Sequence, residues 1–339
     1  MNQKPAIKIG RSTVQFFLPG PKGQKVYWVG DYNQWSTRRR LRYSAKDRGY
    51  TYRIKARPDG IYFYKYVVNQ NWILDPNNPN RYDNGPFGTN SYVTMPKYRF
   101  PTEINHNPLA PRGHITRVML NSEALKSERE VFIYTPPQYE SGDNYPLLVL
   151  QDGHECVSLL PAQTLFDNLI HQKVCKAFVC VMVSPRSSHE REKDYIFNNR
   201  FEKFLGDELI HWLHEHYKLS HSRQDRAILG YSLGGLVSIR TALHYPHVYG
   251  MGGSESGAFW PRQGAIYHEV IDRTPFSTRF YLGTGDMDGG EQLSYIMAEL
   301  FRSLGVPYTI KVSVGGHDWF YWKTHLRHSL KWFFPGTQR

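Results

Sequence analysis

Ser232 lies within the run Gly230-Tyr231-Ser232-Leu233-Gly234, with the apolar stretch Arg226-Ala227-Ile228-Leu229 before it and the helix-like Gly235 to Tyr245 behind it. A serine hydroxyl is a poor nucleophile unless it is held clear of its own backbone, beside a base and near amide donors. A strand, a sharp turn and a helix in succession provide that setting, and flanking glycines remove side chains that would collide in the turn. The same pentapeptide also occurs as a plain glycine-rich turn. The weight therefore rests on the strand–turn–helix context and on partners elsewhere in the chain.

Those partners are a base for the hydroxyl proton and a carboxylate to hold the base, and in this topology they follow the serine in the order acid, then histidine. Among 15 histidines, His317 follows the apolar strand Thr309–Val314 and the turn Gly315-Gly316, with a helix-like segment behind it. His244, His247 and His268 also follow the serine, but at a helix end or in irregular sequence. The acid is expected past the preceding strand, where Tyr281-Leu282-Gly283-Thr284-Gly285-Asp286-Met287-Asp288 offers two carboxylates. Asp286, nearer the strand end, is the expected acid, and Asp288 is the alternative, with helix capping as its other reading. Glu291 suits the first turn of the next helix. Charge developing on the substrate oxygen requires amide donors. The main-chain N–H of Leu233 and that of His154, in the loop Asp152-Gly153-His154, are the candidates.

Other chemistries find less support. His211, His214, His216 and His221 crowd together, but no H-E-x-x-H or cysteine pair completes a metal site, and a solvated helix end accounts for them. No phosphate-binding G-x-x-x-x-G-K, dinucleotide G-x-G-x-x-G or specific nucleic-acid motif occurs, so neither cofactor nor metal is expected. The three cysteines, Cys156, Cys175 and Cys180, form no C-x-x-C pair and imply no disulfide framework. No stretch approaches the roughly 20 apolar residues of a membrane span. The opening Met1-Asn2-Gln3-Lys4-Pro5 lacks a secretory signal, which predicts a cytoplasmic protein.

The elements that must position these groups change character along the chain. From Ser12 to Met95, short alternating strands at 13–18, 25–29, 50–54, 62–68 and 90–94 are separated by Gly, Pro, Asp and Asn turns, as in an immunoglobulin-like β-sandwich. Residues 97–112 carry three prolines and read as a linker or a strap. From residue 113 onward, apolar strands at 131–134, 146–151, 177–183, 226–230, 249–254, 279–283 and 309–314 alternate with helices at 161–172, 199–216, 233–244, 290–304 and 317–333. That alternation predicts an α/β class, doubly wound and mostly parallel, with sites beyond the carboxyl ends of its strands. The expected domains are therefore 1–96, a linker at 97–112, and 113–339.

Charge divides at the same place. The chain carries a net +12, yet residues 1–112 hold 19 Lys and Arg against 6 Asp and Glu, while residues 113–339 hold 23 against 24. The first domain, with its cluster Arg38, Arg39, Arg40 and Arg42, would favour an anionic polymer or surface, although one basic run is also compatible with a solvated loop.

The second domain resembles the esterase family of α/β-hydrolases that includes esterase D and the enterochelin (ferric-siderophore) esterases. The likeness rests on Leu150-Gln151-Asp152-Gly153, Gly230 to Gly235, Ser256-Gly257-Ala258-Phe259-Trp260, Gly283-Thr284-Gly285-Asp286 and Gly315-Gly316-His317-Asp318-Trp319. It implies a triad of Ser232, Asp286 and His317. Arg191 stands where siderophore esterases carry an arginine in R-x-x-E-L, which implies substrate binding, but Asp194-Tyr195 replaces the last two positions. Trp260, Trp319 and Trp322 could line an aromatic acyl or sugar pocket, or pack in the core. The first domain resembles the glycogen-binding module of branching enzymes and of the kinase β subunit through Val29 to Trp35, Tyr64-Lys65-Tyr66, Asn71 to Pro76 and Gly88-Thr89-Asn90. By that likeness Trp35, Lys65, Trp72 and Asn90 contact sugar, or the domain acts as a structural cap. The expected activity is that of a serine carboxylesterase on a small-molecule or glycan ester, such as an acylated sugar or a siderophore-like ester. The alternatives are an acyltransferase with the same triad and an inactive glycan- or polymer-binding protein.

Overall fold

The structure, a computed structural model, describes residues 7–85, 88–187, 189–274 and 277–337, so the opening residues 1–5 considered above lie outside it. Two compact units emerge, and their division does not follow chain order. The first comprises the chain up to Phe100 together with Gly285–Gly289 and Val314–Tyr321, and the second comprises the rest.

Two antiparallel sheets build the first unit. Strands β1 (Ile7–Ile9), β2 (Thr13–Pro19), β4 (Tyr43–Ser44) and β5 (Gly49–Lys55) form one sheet, in the order β1-β2-β5-β4. In the other, β3 (Val26–Gly30), β6 (Ile61–Val68), β9 (Thr89–Thr94) and β8 (Arg81–Asp83) lie in that order, with β7 (Asn71–Ile73) paired to β6. Alternation along each strand turns Phe16, Tyr50 and Ile54 of one sheet and Trp28, Tyr64 and Val93 of the other into a common core. The Tyr64 hydroxyl donates to buried Asp75 at 2.7 Å and accepts from Asn78 at 3.0 Å, which fixes the loop after β7.

The second unit holds an eight-stranded sheet. Its strands are β10 (His114–Ser122), β11 (Ser127–Thr135), β12 (Leu147–Gln151), β13 (Val179–Val183), β14 (Arg226–Tyr231), β15 (Met251–Glu255), β16 (Arg279–Gly285) and β17 (Tyr308–Ser313), in the order β10-β11-β13-β12-β14-β15-β16-β17. The run from β13 through β16 is parallel, and its strands are buried along almost their whole length, as expected of near-continuous apolar runs. The β10–β11–β13 end is antiparallel. Strand β10 was not expected because most of its residues face solvent, as befits an edge strand.

Helices α1 (Gly153–Ser158), α2 (Ala162–His171), α3 (Arg191–Tyr195), α4 (Asn199–Lys203), α5 (Leu209–His216), α6 (Leu233–His244), α7 (Pro261–Arg273), α8 (Glu291–Ser303) and α9 (Trp319–Phe333) intervene between and follow the strands. The stretch expected as one helix over 199–216 is broken by five residues of wider π turn, Phe204–Glu208. Three short or irregular helices escaped the sequence pattern. Helix α3 is mostly charged, α1 is a single short run, and α7 begins with left-handed Arg262, Gln263 and Gly264, which obscure its start. The proline-rich stretch is a strap in its second half, where Asn168 donates to the carbonyls of Glu103 and Asn105 and Arg327 pairs with Glu103 at 2.9 Å.

Candidate active site

Ser232 has φ 54° and ψ −119°, a left-handed conformation that a non-glycine residue keeps only where its surroundings impose it. Here those surroundings are tight. A Cβ on Gly230 would meet the backbone of Gly234 at 2.3 Å, and one on Gly235 would meet Ser254 Oγ at 2.3 Å. The N–H of Ser232 donates to the Glu255 carbonyl at 3.0 Å, and its own carbonyl accepts from Gly235 and Ala258, both at 3.0 Å. Behind it, α6 is buried from Leu233 to Leu243, so the turn stands on an immobile helix. The serine is left at the carboxyl end of β14, at the start of that helix.

The Arg191 guanidinium, to which resemblance gives a substrate-binding role, is engaged by protein groups. It makes a bidentate pair with buried Asp152, at 2.6 and 2.8 Å, and donates to the Tyr231 carbonyl at 3.2 Å. Tyr195 completes the arrangement, accepting from the Asp152 N–H and donating to its carboxylate, both at 3.1 Å, under the Arg191 guanidinium. The physical reason for the difference is local. Asp152 is only 1% exposed and needs a cation, and Tyr195 replaces the leucine of R-x-x-E-L with a hydroxyl that reaches the same carboxylate. This network joins the loop after β12 to the residue preceding Ser232. His154, the expected amide donor, is the second residue of α1, with its imidazole turned to Glu130 at 2.6 Å.

The carboxylate that faces His317 is the alternative, Asp288, and not the expected Asp286. His317 Nδ1 lies 3.1 Å from Asp288 Oδ1, whereas Asp286 accepts from the Gly315 N–H at 3.2 Å and faces Arg57 at 3.5 Å. The turn that follows β16 accounts for this. The Asp288 N–H donates to the Gly285 carbonyl at 3.3 Å, bringing the carboxylate three residues past the strand end back toward His317, while Asp286 accepts from the Gly315 N–H of the other loop. Burial raises the Asp286 pKa, opposed by the Gly315 N–H and by Arg57. An ionised Asp288 would accept a hydrogen bond from His317 Nδ1–H and leave Nε2 as the basic nitrogen.

His317 also borders a cavity of about 330 Å³ within the first unit. Trp35, Lys65, Trp72 and Asn90, the residues carried over from the glycogen-binding likeness, line it together with Asp31, Asn84 and Asp318. Trp35 is held on a left-handed turn, φ 57°, and its indole N–H donates to Asp31 Oδ1 at 3.2 Å. The other Asp31 oxygen accepts from the Phe63 N–H at 2.9 Å. Trp72, 53% exposed, lies nearly parallel to Trp35 at 6.4 Å between centroids. Asp318 caps α9 by accepting from the Tyr321 N–H at 2.7 Å, and Asn84 accepts from the Trp319 N–H at 3.1 Å. Burial, reinforced by mutual repulsion with Asp318, pushes the Asp31 carboxyl well above its usual range, and burial raises Asp318 to about 6. Desolvation lowers the Lys65 ammonium pKa. Sequence reasoning missed Asp31, Asn84 and Asp318 as cavity residues, although Asp31 and Asp318 stand within quoted motifs, four residues before Trp35 and directly after His317.

The three tryptophans differ in placement. Trp260 is 60% exposed at the start of α7, just beyond the Ala258 that is tethered to Ser232. Trp319, expected either as a substrate contact or in the core, is buried. Trp322 is buried too, stacked on Tyr231 at 5.2 Å and donating to Ser256 Oγ at 3.0 Å. The basic cluster runs along a groove lined by Lys22, Arg40 and Arg42, in which Arg40 donates to the Gln24 carbonyl at 2.8 Å. Among the described residues no group of three or more His, Cys, Asp or Glu is disposed to hold a metal, and no helix is long and apolar enough to cross a membrane.

A sheet of this order with a left-handed serine between β14 and α6 is the α/β-hydrolase fold. The fold is shared by the enterobactin esterase of Shigella flexneri crystallised in the presence of enterobactin, with a TM-score of 0.78 and 19% identity over 97% of this chain and 96% of that one. A family model described as "Putative esterase" matches residues 122–333, and the chain belongs to this esterase family. Residues 14–98 match the glycogen recognition site of AMP-activated protein kinase. The chain is 27% identical over 276 residues to the iron(III) enterobactin esterase of Escherichia coli O6:H1, covering 76% of this chain and 66% of that protein. It is 25% identical over 298 residues to an endo-1,4-beta-xylanase/feruloyl esterase of Xylanibacter ruminicola, covering 81% of this chain and 38% of that protein. The chain thus spans just under two thirds of the first relative and much less of the second.

Proposed function

We propose that the protein is a serine carboxylesterase that works through an acyl-enzyme on a small-molecule or glycan ester. Ser232 Oγ attacks the ester carbonyl while His317 Nε2 takes its proton, and Asp288 holds the imidazole through Nδ1–H. The main-chain N–H groups of Leu233 and His154 receive the developing oxyanion. Collapse of the tetrahedral species returns the proton from His317 to the departing alcohol, and water, deprotonated by the same imidazole, then releases the acid from Ser232. The left-handed Ser232 carries this reading, since a glycine-packed turn that strains one serine has no evident structural purpose. The His317–Asp288 pair supports it from the other half of the chemistry.

Ser232→Ala should lower hydrolysis of 4-nitrophenyl acetate by on the order of 10⁴-fold or more. The same variant should lose covalent labelling by a fluorophosphonate probe. Turnover retained within tenfold of the parent enzyme would overturn the assignment.

A further inference from the structure

The basic groove of the first unit is a built feature rather than a run of solvated charge. Its two walls are the loop from β2 to β3, which carries Lys22, and the segment Arg40–Tyr43 leading into β4. Each wall is pinned by bonds within the protein. The Leu41 N–H donates to the Val26 carbonyl at 2.7 Å, which holds the second wall on β3. Opposite it, the Tyr50 hydroxyl donates to the Pro21 carbonyl at 2.9 Å, and Arg40 reaches across to the Gln24 carbonyl at 2.8 Å. The enclosed volume is about 460 Å³. Its lining holds Lys22, Arg40 and Arg42 and no Asp or Glu, and none of these three is in an ion pair among the described residues. The surroundings carry the same sign. Residues 21–50 hold eight Lys and Arg, all of them exposed, against Asp31 and Asp47. Asp31 is buried beside Trp35 and the Phe63 N–H, and Asp47 accepts from the Ser44 hydroxyl at 2.9 Å. Like charges gathered on one face repel one another, so stability does not account for them, whereas attraction of an anionic chain does.

We propose that this groove binds an acidic polysaccharide, a chain bearing carboxylates on successive rings, and that the first unit holds the protein on such a polymer. The proposal goes beyond the esterase reading and does not depend on it. A guanidinium presents parallel N–H donors that match a carboxylate, and two of the three lining cations are arginines. The volume admits about two rings of a chain at a time, and the exposed cations beyond the groove attract the carboxylates of its neighbours. Other polyanions fit less well. A nucleic-acid duplex is too wide for a groove of this volume, and a single strand takes much of its affinity from bases stacked on exposed aromatic faces. Here Tyr50 is 2% exposed with its hydroxyl engaged, and Tyr43 packs edge-on against it at 5.4 Å between centroids. A membrane surface is gripped by exposed apolar side chains next to basic ones, and no lining residue is an exposed large hydrophobic.

The test measures binding of a fluorescein-labelled oligogalacturonate to the full chain by fluorescence anisotropy. The acidic chain should bind at least tenfold more tightly than the corresponding oligogalactoside, which has a hydroxymethyl group in place of each carboxylate, and added salt should weaken it. Lys22→Glu with Arg42→Glu should raise Kd at least tenfold, and Lys22→Gln with Arg42→Gln should raise it less but in the same direction. Lys8→Glu with Arg11→Glu alters the same number of exposed cations beside β1, at the opposite edge of that sheet from β4, and should change Kd less than about threefold. Both residues of each pair are exposed, and unchanged urea unfolding midpoints establish that the variants are folded. No binding of the oligogalacturonate, or equal binding of the neutral chain, would overturn the proposal. So would equal losses in the two charge-reversed pairs, which would reduce the effect to net charge. Tighter binding of a single-stranded oligothymidylate, or of phosphatidylglycerol vesicles, would overturn it in favour of that partner.

Discussion

The nucleophile turn and the ring-lined cavity are held in place by opposite means. Around Ser232 the positioning is done by main chain and by the absence of side chains. Gly230 and Gly234 touch backbone to backbone, Ser232 exchanges main-chain hydrogen bonds with Glu255, Gly235 and Ala258, and α6 is buried behind it. Around the cavity the positioning is done by side chains drawn from four separate stretches, with Asp31 bridging Trp35 and Phe63, and Asn84 reaching the N–H of Trp319. A nucleophile that tolerates only fractions of an ångström of error is fixed by groups that cannot rotate. The two indoles of the cavity are instead surrounded by side chains that can.

The contrast implies that single side-chain changes in the acid–base loops should damage catalysis far more than their neighbours do. Asp288→Asn reverses the donor and acceptor roles at His317 Nδ1 and should lower kcat on 4-nitrophenyl acetate by about 10³–10⁴-fold. Asp286→Asn preserves the acceptor for the Gly315 N–H and should cost less than about tenfold. A larger loss for Asp286→Asn would return the role of acid to that residue.

Ion pairs offer a second comparison, one step smaller. Arg191→Met leaves the carboxylate of Asp152 buried without its cation, which should lower unfolding free energy by about 3–5 kcal/mol. It should also lower kcat, because the same guanidinium holds the Tyr231 carbonyl next to Ser232. Arg57→Met removes the partner of Asp286 at a site where the arginine is 56% exposed, and the expected cost is below about 1 kcal/mol. Urea unfolding midpoints of the two variants measure the difference. Equal losses would mean that the Arg191 pair is as well solvated as the surface pair.

The same division governs what can be read from the residues in order. Ser232 is legible because its strand, turn and helix are contiguous and its glycines are obligatory. His317 is legible because an apolar strand and a glycine pair announce it. Asp286 was preferred to Asp288 in sequence because it is nearer the strand end, because helix capping accounts for Asp288 and because the family likeness falls on Asp286, whereas the turn through Gly285 reverses the order of approach. The pairing of Arg191 with Asp152 was not legible because the two lie 39 residues apart, and a buried carboxylate is indistinguishable in sequence from an exposed one. The parallel centre of the sheet is written in continuous apolar runs, whereas the solvated edge strand β10 leaves no such trace.

The smallest expected effect concerns the carboxyls of the cavity, and its sign separates desolvation from ordinary solvation. Burial raises the pKa of Asp318 from the ordinary 3.8 to about 6, against the pull of the Tyr321 N–H and of His317. The folded protein therefore holds a proton there more tightly than the unfolded chain does. That contribution to stability is fully present below about pH 4 and is lost as pH rises through about 6. Asp318→Asn cannot ionise and so loses nothing over this interval, while groups other than Asp31 titrate alike in both proteins. The stability of the parent relative to the variant should consequently fall by on the order of 2 kcal/mol between pH 4 and pH 7. Asp31, raised in the same direction and close enough to repel Asp318, should shift upward less in the variant and take up part of that difference. Urea unfolding of both proteins at the two pH values measures it. A parent–variant difference that is the same at pH 4 and pH 7 would place Asp318 at its ordinary pKa, and would make the cavity a solvated cleft held no differently from the protein surface.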